Sequence, residues 1–388
     1  MTSLGGADYS AAPRYTIPVR FIPMLLLLAA LQAALWYALS GLFRLEKRGR
    51  TILGLAQLAL AVFFVSFLTA SRNGLQLGAS LRTFVVEPLL ALEALSIPVA
   101  LVLSAVRSIG WSESRRIFLQ RSATGLLGAT GVAAIVGIEQ AELAPQLTRQ
   151  DVPVRGLHPD LDGVTIVQLS DIHAGALMSE ERMRRIAEAA AALDADIVVL
   201  TGDLLDVSAQ AAGPFSRAMS GLHGKLGTFA VLGNHDYYSG ARAVEWALHD
   251  AGARLLRNSG ARIERGRGTL FIGGVDDPSP GGLGVQPARA FRAAAPEEPR
   301  IMLAHRPSLF ELCAGAGAQL VLSGHTHGGQ IALSPRWSLA RVLGPYTMGR
   351  YWRDGAMLYV HRGMGTVGPV PLRLGSPPEI ALLTLRRV

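Results

Sequence analysis

The sequence holds a single cysteine, Cys313, among 388 residues. That excludes an intrachain disulfide, and the lack of paired thiolates disfavours a structural zinc site. Charge is scarce as well: Asp, Glu, Lys and Arg together make up 17%. Residues 151–388 show almost no surplus of either sign, with 24 basic against 22 acidic side chains, whereas residues 1–150 carry 13 against 7. The formal charge of +8 therefore belongs mostly to the first part of the chain. There it reads as membrane topology rather than as a nucleic-acid footprint, and no nucleic-acid partner is expected. What is plentiful is apolar. Half of the residues are hydrophobic and the mean hydropathy is +0.31, too apolar for an ordinary soluble chain, so membrane segments have to be located before any fold is assigned.

Four apolar stretches fall in residues 1–145, at approximately 21–43, 51–71, 83–106 and 122–138. The first two match the ~20 residues that cross a hydrocarbon core of ~30 Å. The third is interrupted by Glu87, Pro88, Glu93 and Pro98, and the fourth is shorter and rich in Gly and Ala. Basic connections, Arg44 to Arg50 and Arg107 to Arg121, flank the second and third stretches. By the positive-inside rule these loops are cytoplasmic, which puts everything after the fourth stretch on the exocytoplasmic side of a bacterial cytoplasmic membrane. The run Ser114-Arg115-Arg116-Ile117-Phe118-Leu119-Gln120 resembles a twin-arginine export signal, which would make that export machinery a partner. An ordinary basic flank on a membrane helix explains the same residues.

From about residue 150 the pattern changes to short β-branched runs, each ending in polar residues. Gly163–Ser170 runs into Asp171, Asp196–Thr201 into Gly202-Asp203, and Thr228–Leu232 into Gly233-Asn234-His235-Asp236. Arg300–Ala304 runs into His305, and Gln319–Ser323 into Gly324-His325-Thr326-His327. Continuous apolar runs of this length predict buried strands. Between the first two, Ser179 as N-cap, Glu180 and Glu181 in a first turn, and Met183, Ile186, Ala190 and Leu193 on one face predict a helix. Alternating strands and helices give an α/β layered fold.

Five strand ends thus deliver Asp171, His173, Asp203, Asn234, His305, His325 and His327, with His235 and Asp206 close by. The C-terminal edge of such strands is where α/β sheets place their sites. Imidazole, carboxylate and amide donors without thiolate suit Mn, Fe or Zn. An isolated Asp or His at a strand end is more often a cap or turn residue; the same residue types at five equivalent ends argue otherwise.

The blocks Asp171-Ile-His173, Gly202-Asp203-Leu-Leu-Asp206, Gly233-Asn234-His235-Asp236, His305 and Gly324-His325-Thr-His327 resemble, in order, those of the calcineurin-like metallophosphoesterase superfamily. Gly324 to Gln330, Arg362 to Thr366 and Pro378-Glu379-Ile380 are similar to its bacterial membrane-associated branch. The resemblance covers roughly residues 150–388 and implies an α/β/β/α metallophosphoesterase sandwich, here preceded by a helical transmembrane region in 1–145. It also implies two divalent ions, one held by Asp171, His173, Asp203 and His327, the other by Asp203, Asn234, His305 and His325. Asp203 is then the bridge, and His235, oriented by Asp206, assists the leaving oxygen. Two cations ~3.5–4 Å apart would activate a water for in-line attack on phosphorus.

Two further stretches look like inserts near the site. Asp276 to Ala288 is rich in Gly and Pro, and its plain reading is a disordered connector. Ser334 to Arg353 interleaves aromatic and aliphatic residues with arginines, which makes Arg336, Trp337, Arg341 and Trp352 candidates for a lipid-carried phosphate; an irregular segment packed on the sheet is the plainer alternative. The expected activity is hydrolysis of a phosphodiester, phosphomonoester or pyrophosphate, with lipid- or envelope-linked substrates in view. The family branch brings in a UDP-diacylglucosamine-type pyrophosphate as one candidate, against which an exocytoplasmic domain argues. A non-catalytic metal-binding sensor is the alternative from another class.

Overall fold

The computed structural model describes residues 32–72 except 34, 38 and 42, and residues 113–388 except 343, 369 and 370. The chain divides into two compact units, Met1–Phe64 with Glu93–Gly128, and Val65–Leu92 with Ala129–Val388. In the first unit, Trp36 Nε1 donates to the Arg50 carbonyl at 2.8 Å and Arg44 pairs with Glu113 at the surface. Helix α1 is Lys47–Arg72 and helix α2 is Glu113–Glu142.

Among the described residues no helix is long and apolar enough to cross a membrane. The third predicted span lies outside the described residues, as does much of the first. The second and fourth fall on α1 and α2, where several side chains lie outside them too.

The larger unit is built on twelve strands among the described residues: β1 Gln146–Val154, β2 Thr165–Leu169, β3 Ile197–Thr201, β4 Gly227–Val231, β5 Arg254–Leu255, β6 Ser259–Arg265, β7 Gly268–Gly274, β8 Arg300–Leu303, β9 Leu320–Ser323, β10 Gly349–Arg353, β11 Ala356–Val360 and β12 Glu379–Arg387. They form two six-stranded sheets, ordered β1-β12-β2-β3-β4-β5 and β10-β11-β9-β8-β7-β6. Helices α3 Glu180–Ala191, α4 Ala212–Met219, α5 Asn234–Ser239 and α6 Ala241–Asp250 follow β2, β3 and β4.

Period-two alternation sorts the strand residues into layers. Ile197 and Val199 of β3, with Ile166 of β2 and Val231 of β4, meet Ile272, Ile301, Leu303, Leu320 and Leu322 of the second sheet in one core. The intervening Val167, Leu169, Val198 and Leu200 face the other way, onto Met183, Ile186 and Ala190 of α3, Phe215 of α4 and Val244 and Leu248 of α6. Behind the second sheet, Phe271, Met302, Val321, Leu358 and Phe310 form a third cluster. Because both faces of β3 are buried, its sequence is apolar throughout. The layering is α/β/β/α.

Helix α3 begins as its sequence predicts: Ser179 Oγ accepts from Arg182 N, and Met183, Ile186 and Ala190 are buried. Leu193 lies past the helix end and packs on the same cluster. The first sheet opens slightly ahead of residue 150. β1 pairs in parallel with the C-terminal β12, Gln146 opposite Glu379 and Val154 opposite Arg387. The end of α2 is tied to this unit: Gly137 O accepts from Arg373 N at 2.9 Å, and Gln140 Oε1 from Gly375 N at 2.7 Å.

Candidate metal centre

The five predicted strand ends belong to two sheets, β2, β3 and β4 in the first and β8 and β9 in the second. Their C-terminal edges meet, and the loops that leave them are laced together. Asp171 N donates to Gly202 O at 2.9 Å, and His173 N to Asp203 O at 3.0 Å. Across the sandwich, His325 N donates to Asp171 Oδ1 at 2.8 Å and His305 Nδ1 to Thr201 O at 2.8 Å. Two glycines allow this closeness. A Cβ at Gly233 would overlap the Asp203 carboxylate, and one at Gly324 would overlap Ser170 Oγ and Asp171 Oδ2.

Five of the seven candidate donors stand in left-handed backbone: Asp171 at φ 52°, His173 at 50°, Asp203 at 51°, His325 at 71° and His327 at 52°. L-residues other than Gly visit this region rarely, at a strain of order 1–3 kcal/mol each. Such strain persists where surrounding structure fixes the backbone, and its concentration at one spot marks a working site.

The donors cluster in two groups, joined by a third made of His173, Asp203 and His235. Asp171, His173 and His327 form one, with His173 Nε2 3.0 Å from His327 Nε2 and His327 Nε2 3.4 Å from Asp171 Oδ1. Asp203, His305 and His325 form the other, with His305 Nε2 3.2 Å from both Asp203 Oδ2 and His325 Nδ1. Asp203 Oδ2 also lies 3.7 Å from His173 Nε2, so one carboxylate oxygen faces both groups. Asn234 follows Gly233 beside Asp203. His235 Nδ1 meets Asp206 O at 2.9 Å and Asp206 Oδ1 at 3.1 Å, leaving its Nε2 for another partner.

Two carboxamide and carboxylate oxygens in this cluster, Asp171 Oδ2 and Asn234 Oδ1, are buried without a hydrogen-bond partner. Buried oxygens without a donor are costly, and acceptor atoms converging with imidazole nitrogens are what a divalent cation requires. The donor set fits divalent metal binding.

The electrostatics agree. Although burial works against ionisation, His305 and then His173 hold the Asp203 carboxyl well below the usual range. His305 itself is lowered by burial but raised more by Asp203, to about 10. Burial and the neighbouring His305 push His325 down to about 3, and burial with His173 depresses His327. For His235, burial is outweighed by its bond to Asp206 and by Asp203, so its pKa rises.

Sequence reasoning missed several supports. Asp236, inside the Gly233-Asn-His-Asp block but without an assigned role, is fully buried. It accepts from Gly233 N, Leu204 N and Leu205 N at 2.8–3.0 Å, joining the β3 and β4 loops. Burial and the adjacent Asp203 push it up to about 7. Arg373, also fully buried, donates to the carbonyls of Arg362, Gly365 and Ser376 behind His327. Arg306 and Asp277, next to His305, form an ion pair at 2.8 Å.

Of the candidates for substrate contact, Arg336, Trp337, Arg341 and Trp352 are exposed. Residues 349–353 are the edge strand β10 rather than part of a loop, so Trp352 belongs to the second sheet. Trp337 stays in a loop tied to the site, since Ser338 Oγ donates to Gly328 O at 2.8 Å. The stretch 276–288 is no disordered connector: Asp276 and Asp277 are buried, and Asn258 bonds Gly284 O and Gln286 N.

Residues 164–329 match the model of the calcineurin-like phosphoesterase family. The chain is 33% identical over 271 residues to a protein of Danio rerio described as a transmembrane protein with metallophosphoesterase domain, covering 66% of this chain and 61% of that one. It is 32% identical over 228 residues to an uncharacterized metallophosphoesterase of Aquifex aeolicus, covering 58% of this chain and 85% of the relative. An uncharacterized metallophosphoesterase of Bacillus subtilis is 30% identical over 295 residues, 70% of this chain and 98% of its own length. Among solved structures, TT1561 of Thermus thermophilus matches at 16% identity and a TM-score of 0.36, over 52% of this chain and 90% of that one. The family model and the sequence relatives define the class as calcineurin-like phosphoesterases. The chain belongs to the calcineurin-like metallophosphoesterases. It spans 61% and 66% of the length of the Danio rerio and Bos taurus proteins it resembles.

Proposed function

We propose that the chain is a membrane-anchored two-metal phosphoesterase acting on a lipid- or envelope-linked phosphate ester. In this reading Asp171, His173, Asp203 and His327 hold one ion, and Asp203, Asn234, His305 and His325 the other. The observation that carries it is the single Asp203 oxygen facing imidazoles of both groups, at 3.7 Å and 3.2 Å. Bound there, two divalent ions would activate water and neutralise phosphate charge. The chain's own residues do the rest. Asp203 and Asp171 supply negative charge, and the buried His325 and His327 stay neutral as donors. His235 is the proton source for the leaving oxygen. Its bond to Asp206 and the charge of Asp203 outweigh burial and favour the protonated ring, and Asp206 fixes its orientation.

Support for the lipid side comes from the loop beside the site. Leu333, Trp337 and Val342 are 94%, 76% and 88% exposed, with Arg336 and Arg341 among them. Aliphatic and tryptophan side chains flanked by arginine suit a headgroup–acyl boundary. Exposed Ile52, Leu55, Leu58 and Val62 on α1, and Val132, Ile135 and Val136 on α2, are consistent with membrane anchoring. The basic connections favour an exocytoplasmic catalytic domain. A reporter fused after Val388 tests that side, and cytoplasmic reporter activity refutes it.

The decisive experiment is a substrate panel on the full chain with Mn(II): bis-aryl phosphate, aryl phosphate, phospholipids and a nucleotide-sugar lipid. Turnover of none of them, with metal bound, would replace the enzyme by a metal-binding sensor.

A further inference from the structure

β8 ends at His305, and the next side chain, Arg306, is engaged in an unusual way. Its Nε donates to Asp277 Oδ2 at 2.8 Å and its Nη2 to Asp277 Oδ1 at 3.1 Å, a two-pronged match of guanidinium and carboxylate. Asp277 is set in turn by Ser279, whose N and Oγ donate to Oδ1 at 3.0 and 2.5 Å. The carboxylate side chain is 0% exposed, but the guanidinium side chain keeps 28% of its surface open. Its Nη1 has no partner among the described residues.

Position gives this arrangement meaning. The charge of Arg306 is felt at Asp203 and at Tyr238, and it also acts on His325. Tyr238, half exposed, lies with its ring 5.2 Å from that of His235. Arg306 directly follows His305 in the chain and lies within electrostatic reach of Asp203, His325 and Tyr238. Pinning the 276–288 loop does not require it, because Asp276 is already bonded to Arg257 and Leu283 N, and Asn258 holds Gly284 and Gln286. A guanidinium locked by a buried carboxylate, with one edge facing solvent beside a phosphoesterase centre, is a pre-organised anion receptor.

We infer that Arg306, oriented by Asp277, binds a phosphoryl oxygen of the substrate and biases the site toward terminal phosphoryl groups. A terminal phosphoryl group has three unesterified oxygens and more charge than a diester, so it gains most from a third cation beside two metals. This rests on the two-metal reading above, and it narrows the substrate class.

The test uses the full chain loaded with Mn(II), comparing wild type with Arg306→Gln and Arg306→Lys. Inorganic phosphate affinity by calorimetry should fall about tenfold or more in Arg306→Gln and be partly restored in Arg306→Lys, as losing a charged hydrogen bond predicts. KM for aryl phosphate should rise in step, and by clearly more than KM for bis-aryl phosphate. Mn(II) affinity should stay at the wild-type value. Unchanged phosphate affinity and monoester-to-diester preference in Arg306→Gln, with Mn(II) loading intact, would overturn the inference. Equal losses on both substrates with a lowered melting temperature would overturn it too, by making the pair a structural pin. If Arg306→Gln does not fold, the same two readouts on Arg306→Lys decide. A wild-type protein that binds Mn(II) but neither phosphate nor either ester brings down the phosphoesterase reading itself.

Discussion

The two sheets contribute unlike halves to one site. The first, through β2, β3 and β4, supplies both carboxylates, the Asn234 amide and a single ligand imidazole, His173. The second, through β8 and β9, supplies only imidazoles: His305, His325 and His327. The first half carries the negative charge and is held by its own backbone ladder, Asp171 N to Gly202 O and His173 N to Asp203 O. The second brings no carboxylate, and it is fastened to the first by His325 N on Asp171 and His305 Nδ1 on Thr201 O. A phosphoesterase centre here is therefore an interface between sheets. Its integrity depends on the packing of the central core as much as on its donors.

The comparison breaks most completely at the one residue that faces both halves. Asp203→Asn should reduce metal-dependent turnover by about 10³-fold or more, a loss on the scale of removing a main electrostatic group; near-normal turnover would remove Asp203 from the bridge. His235→Ala, in the set that links the two groups, should cost roughly 10²-fold or more in turnover on substrates with poor leaving groups, and much less on activated aryl esters. Gly324→Ala attacks the fastening itself. Its new Cβ would overlap Asp171 Oδ2 and Ser170 Oγ, and a displacement of even ~1 Å should lower activity about 10²-fold. Far-ultraviolet circular dichroism should show the fold retained.

A finer division follows from His305→Ala. If two ions are held as proposed, calorimetric Mn(II) uptake in His305→Ala should drop from two ions to one, whereas Asp203→Asn weakens both. Loss of both ions in His305→Ala would mean that the halves do not load separately.

The smallest effect concerns acid. His361, just past β11, is buried, and burial pushes its pKa down to about 4. The unfolded chain's histidine, near 6.5, takes up a proton that the folded one refuses. Stability is therefore unaffected above about pH 6.5 and is lost as pH falls toward 4, by about 3 kcal/mol at the lower end. His361→Gln should flatten that segment of the melting-temperature profile; an unchanged slope would assign the acid sensitivity elsewhere.

The donors were legible because each sits in a short local block at the end of an apolar run, and turn chemistry near a strand end is written in adjacent residues. Helix α3 was legible for the same reason, through Ser179 and its apolar stripe. Which sheet each strand joins was not legible. Nothing local tells β3 to pair with β2 or β8 with β7, and the pairing of β1 with β12 links distant parts of the chain. Buried charges were the other gap. Arg373 and Asp277 look like surface residues until their partners, backbone carbonyls and Arg306, are known. Residues 349–353 read as insert because arginines and aromatics on an edge strand mimic an irregular loop.

The left-handed backbone at Asp171, His173, Asp203, His325 and His327 carries a warning for anyone selecting hardier versions of this protein. Glycine relaxes at such angles, and asparagine tolerates them better than histidine does. A screen that scores only heat resistance or yield will tend to accumulate those two residues at these five places. Its winners would be sturdy and inert, so such a campaign should hold the five positions fixed or screen for catalysis in every round.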